Sequence, residues 1–125
     1  AGEQEEGIEV LEESLRLASM IYGEDHVDNL WLQLELGVKY AHTNNPRETL
    51  IRAQRVEDVA ASQVPLNEDL LAESWFVKGK SLLALERAAE AVVPLRAAHR
   101  FFLERHGPEA PVTQEAAQLL DYAER

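Results

Sequence analysis

The chain contains no cysteine, so neither a disulfide nor a thiolate metal site can contribute to its fold or chemistry. A reducing compartment fits that absence, and a cytoplasmic location is the expectation. Basic side chains are scarce: 12 Lys and Arg stand against 23 Asp and Glu, for a net charge of −11. A chain this acidic repels phosphate backbones and lacks the clustered Lys/Arg stripe that nucleic-acid binding needs, so nucleic acid is not an expected partner. No apolar run approaches the roughly eighteen residues of a membrane span, and the start, Ala1-Gly2-Glu3-Gln4-Glu5-Glu6, lacks the basic and apolar regions of a signal peptide. Membrane insertion is therefore not expected. Also missing are a Gly-rich phosphate loop, a two-histidine metalloprotease motif and a Gly-x-Ser-x-Gly elbow. The chain is read as a non-enzyme that needs no cofactor.

What is present is a repeat. Gly23, Pro65 and Gly107 are spaced by 42 residues (65 − 23 and 107 − 65), as are Gly37 and Gly79 (79 − 37). The same spacing carries Tyr40 onto Leu82, Leu11 onto Ala53, Ala53 onto Leu95 and Val56 onto Ala98. A period of this size is the signature of stacked helical units. The 125 residues and 46% apolar content suffice for one folded domain. Charge is uneven along it: residues 1 to 28 hold nine acidic side chains against Arg16 alone. Those carboxylates have two readings, a patch for a basic peptide or a solvated helix face.

Ile8, Leu11, Leu15 and Ala18 follow helical spacing from Glu5 to about Ile21, and Gly23 ends that helix. Asp28 or Asn29 can cap the next, in which Leu30, Leu34, Val38 and Ala41 form one stripe and Leu32, Leu36 and Tyr40 another. Two apolar faces mark a helix packed on both sides. Asn45 is a candidate N-cap with Pro46 at the first helical position, and this helix runs to about Gln63. After Val64-Pro65-Leu66-Asn67, further helices are expected from Asp69 to about Leu85, from Arg87 to about Arg105, and from Pro111 onward. Pro94, inside the fifth, should bend it without ending it.

In the second unit Trp75, Gly79, Leu82, Ala91, Leu95 and Ala98 alternate large and small apolar residues in a pattern that resembles the tetratricopeptide repeat. The first unit keeps Leu36, Gly37, Tyr40 and Ala53, with Gln33 where an aromatic is usual and Thr49 where alanine is usual. Tyr22-Gly23-Glu24-Asp25-His26, His106-Gly107-Pro108-Glu109 and Ala91-Val92-Val93-Pro94-Leu95 are similar to segments of the long variant of that family found in kinesin light chains. The resemblance implies an all-α fold, a right-handed α-solenoid of antiparallel helix pairs. On that register residues 1–23 are a lone second helix, 28–65 and 68–107 two repeats, and 111–125 a lone first helix. Both ends fall within a repeat and neither shows a polar capping unit, so an excerpt of a longer protein is expected.

The resemblance also implies a protein–protein interaction module that holds a peptide or partner helix in a concave groove. On this register the groove residues are Trp31, Leu34, Glu35, Val38 and His42, then Glu73, Phe76, Val77 and Lys80, then Gln118 and Tyr122. For Trp31, Phe76 and Val77 the competing reading is core packing, whereas Glu35, Glu73, Lys80 and His42 are ill suited to a core. Two other roles remain open: a regulatory or sensor segment of a larger signalling protein, and self-association through apolar ends at Ile8 and Leu11 and at Leu119 and Leu120. His99, Glu104 and His106 are the only metal-like grouping, and without a further ligand no metal site is read there.

Overall fold

The computed structural model describes the backbone of residues 2–23, 26–42 and 45–125 and, within these, the side chains other than those of residues 2–5, 22, 27, 28 and 39–42. Six helices follow one another: α1 (Gly2–Tyr22), α2 (Val27–His42), α3 (Pro46–Ser62), α4 (Glu68–Ala84), α5 (Ala88–His106) and α6 (Pro111–Glu124). No strand occurs among the described residues.

The helix ends have local causes. Asn45 caps α3, its side chain accepting from the Glu48 amide, with Pro46 in the first turn where a missing N–H costs nothing. Asn67 caps α4 through the Leu70 amide at 3.1 Å. Gly23 and Gly107 leave α1 and α5 with φ of 88° and 85°, a region open to glycine at little cost. The intervening turn uses a cis Val64–Pro65 bond instead. α2 departs from expectation, since it begins at Val27 and takes Asn29 into its first turn. The fully buried Asn29 donates its Nδ2 back to the Gly23 carbonyl, tying the helix to the preceding turn. The Asp28 side chain lies outside the described residues, as do Tyr22, Tyr40 and His42. α5 continues through Pro94, which is buried.

Each helix packs on the next, and α2 also meets α4 while α4 meets α6. Among the described residues α1 does not approach α3, nor α3 approach α5. The core has two parts. Leu30 and Leu34 of α2 join Ala53, Val56 and Ala60 of α3 and Leu70 and Val77 of α4. Ala72, Phe76 and Leu82 of α4 join Ala91, Leu95, Ala98 and Phe102 of α5 and Ala116 and Ala123 of α6. α4 serves both parts, and each wholly buried Leu or Phe contributes roughly 1.5–3 kcal/mol. Close approach is fixed by Gly79, where a Cβ would lie 2.4 Å from Leu95 Cγ.

Candidate functional site

Because α2, α4 and α6 touch in series while α3 and α5 stand apart, these three helices form one continuous row. The expected groove residues divide by burial along it. Leu34, Phe76 and Val77 are core: Leu34 and Val77 belong to the α2–α3–α4 cluster, and the Phe76 ring meets Phe102 edge to face at 5.6 Å. Val38 is half-buried against the same cluster. Trp31 is 39% exposed and Glu35 is exposed on α2, Lys80 is exposed on α4, and Tyr122 is 60% exposed on α6. These exposed members of the set are therefore aromatic or charged, and Leu34, Phe76 and Val77 are buried.

Charge joins the row. Lys80 Nζ donates to Glu115 Oε1 at 3.3 Å, linking α4 to α6, and sits 5.0 Å from the centroid of the Phe76 ring. Glu73 is half-buried, and burial holds its carboxyl above the ordinary glutamate range despite opposing pulls from Lys80 and His106. The negative charges of Asp69 and Glu115 push it the same way as burial. Glu115 was not among the expected residues, although the 42-residue offset from Glu73 falls on it (73 + 42).

Gln118 occupies a different surface of α6. It shares a stripe, spaced four, three and four, with Gln114, Asp121 and Arg125, all exposed. At offsets of 84 and 42 residues (118 − 34 and 118 − 76) it aligns with Leu34 and Phe76, and Asp121 aligns with Gly37 and Gly79 (121 − 37 and 121 − 79). Those positions pack beneath the following helix in α2 and α4 but are polar in α6. Leu119 and Leu120 are half-buried and pack on the α4–α5–α6 core. α6 thus presents a polar stripe at the positions where α2 and α4 are apolar and buried.

On the opposite side lies a groove of about 830 Å³ between α3 and α5, floored by Leu82 of α4 and lined by Leu50, Ile51, Val59, Val93 and Pro94. Lys78 closes one side through a 2.9 Å ion pair with Glu57. No group of three His, Asp or Glu side chains among the described residues is arranged to hold a metal. The His106 ring instead lies 6.3 Å from that of Phe102.

Compared with family models, curated proteins and solved structures, the chain finds no match. The tetratricopeptide resemblance accordingly rests on the residues quoted for it.

Proposed function

We propose that the protein is an interaction module, a right-handed stack of antiparallel helix pairs that binds a peptide or partner helix along the α2–α4–α6 row. The observation that carries this reading is the serial contact of these three helices beside the separated α3 and α5, which gives one side a continuous surface. That surface holds Trp31, Tyr122 and the methylene stem of Lys80 for apolar contact, with Glu35, Glu73 and Lys80 to set register. The scaffold is already ordered by its core, so binding would cost entropy mainly in the partner.

Self-association through both ends is less favoured by the surface of α6, where Gln114, Gln118, Asp121 and Arg125 are polar and Leu119 and Leu120 are partly covered. The test is capture from lysate of the source cell, comparing the parent protein with Glu35→Lys combined with Lys80→Glu, after matching helical content and mass. The expected result is a partner retained by the parent and lost by the variant. Equal capture of the same partner by both would reject the row as the binding surface.

A further inference from the structure

Gln33 is an anomaly in the interior of the chain. It is 4% exposed, and its Oε1 has no hydrogen-bond partner among the described residues, a state that costs stability unless something outside the chain supplies a donor. Gln33 lines a small pocket of about 270 Å³ whose other walls are Leu15 and Ser19 of α1 and Arg52 and Arg55 of α3. The repeat shows how far this pocket departs from its counterpart. At an offset of 42 residues Ser19, Gln33, Arg52 and Arg55 align with Ala61, Trp75, Pro94 and Ala97 (61 − 19, 75 − 33, 94 − 52 and 97 − 55). All four counterparts are apolar, and Trp75 packs on the α4–α5–α6 core. Polar side chains from three helices thus converge where the second unit has apolar ones, and Gln33 among them is buried without a partner for its carbonyl.

The donors and acceptors of the pocket indicate the ligand. Arg52, half-buried, and Arg55, exposed, carry guanidinium groups with more N–H donors than a single partner occupies, and their planar fork suits a carboxylate. Gln33 Oε1 calls for a donor, which a plain carboxylate lacks. The surroundings also disfavour a simple anion, because residues 1 to 28 hold nine acidic side chains and the whole chain has a net charge of −11. A zwitterion meets all three conditions. We propose that this pocket binds a small α-amino acid, its carboxylate on Arg52 and Arg55 and its ammonium donating to Gln33 Oε1. The Ser19 hydroxyl is able to serve either group, and Leu15 offers an apolar wall to the ligand's side chain. The pocket is separate from the exposed residues of the α2–α4–α6 row, and its occupation does not depend on that row.

Calorimetric titration of the intact protein with L-alanine and with L-serine tests this. The controls are propionate, which lacks the ammonium, L-lactate, which has a hydroxyl in its place, and ethylammonium, which lacks the carboxylate. At least one of the two amino acids is expected to bind at a single site, with every control weaker by about tenfold or more. Gln33→Leu removes the acceptor and supplies an apolar side chain, as the second unit has at this position. It should weaken amino-acid binding by about tenfold without lowering the melting temperature. Arg55→Gln, at an exposed position where folding is not at stake, should weaken it by a similar factor. Val93→Ser, in the α3–α5 groove, should leave it unchanged. No saturable binding of either amino acid, equal binding of propionate, lactate or ethylammonium, or indifference to both Gln33→Leu and Arg55→Gln would overturn the proposal.

Discussion

Gly37 and Gly79 stand one period apart on α2 and α4, yet the next helix approaches them to different depths. At Gly37 an added Cβ would meet Arg52 Cβ at 3.5 Å, an ordinary contact, while at Gly79 it would lie 2.4 Å from Leu95 Cγ and 2.5 Å from Leu95 Cδ2. Leu95 is wholly buried, so displacing it disturbs close-packed neighbours. Gly79→Ala should therefore destabilise the protein by about 1–3 kcal/mol in urea unfolding, despite alanine's better helix propensity. Gly37→Ala should be neutral or stabilising by up to about 1 kcal/mol in the same measurement. At this scale the exposure of Glu35 and Lys80 was legible because burying an unpaired charge is costly. Leu34, Phe76 and Val77 were ambiguous because α2 and α4 are apolar on two faces, and periodicity alone does not tell which apolar positions a neighbour covers. Glu73 lies between these cases, charged by nature and half-buried in place.

The helices as elements were legible wherever a terminus carries its own chemistry. α4 shows both the success and the omission. Its start follows from Asn67, and Asn67→Ala should cost about 1 kcal/mol by removing the acceptor for the Leu70 amide. Its end was not foreseen in detail. Glu86 takes a φ of 60°, with its amide donating to Leu83 O at 3.0 Å and the Arg87 amide donating to Leu82 O at 2.8 Å. That is a Schellman closure with glutamate where glycine is favoured. Glu86→Gly should gain about 1 kcal/mol by relieving the left-handed strain, and thermal unfolding of the two variants should show opposite shifts. The start of α2 was misplaced by two or three residues because Asp28 and Asn29 resemble caps in sequence. The Asn29 side chain instead bonds to the Gly23 carbonyl across the turn, a non-local contact that residue type does not reveal. The polar stripe of α6 was in plain view as Gln114, Gln118, Asp121 and Arg125. It acquires meaning only when these residues are aligned with Leu30, Leu34 and Gly37 of α2, buried beneath a following helix.

Across the whole molecule the two ends are unlike. α1 leaves Val10, Leu17 and Ile21 exposed beside acidic residues, and α6 turns a polar stripe outward. Between them the helices divide into a touching row, α2, α4 and α6, and a separated pair, α3 and α5. The proposed activity follows from this division, because a continuous row offers an extended partner one uninterrupted track while the other side offers a single gap. Ion pairs hold the arrangement at its margins: Arg105 reaches Asp69 at 3.3 Å and Arg96 reaches Glu124 at 3.4 Å, both exposed and each of modest value. Site-specific photo-crosslinking tests the division most directly, with a benzophenone side chain placed in turn at Glu35, Tyr122, Ile51 and Val93 of the intact protein in lysate of the source cell. A common partner crosslinked from Glu35 and Tyr122 but not from Ile51 or Val93 is the predicted result. Crosslinking confined to Ile51 and Val93 would contradict the account and move the binding surface to the α3–α5 groove.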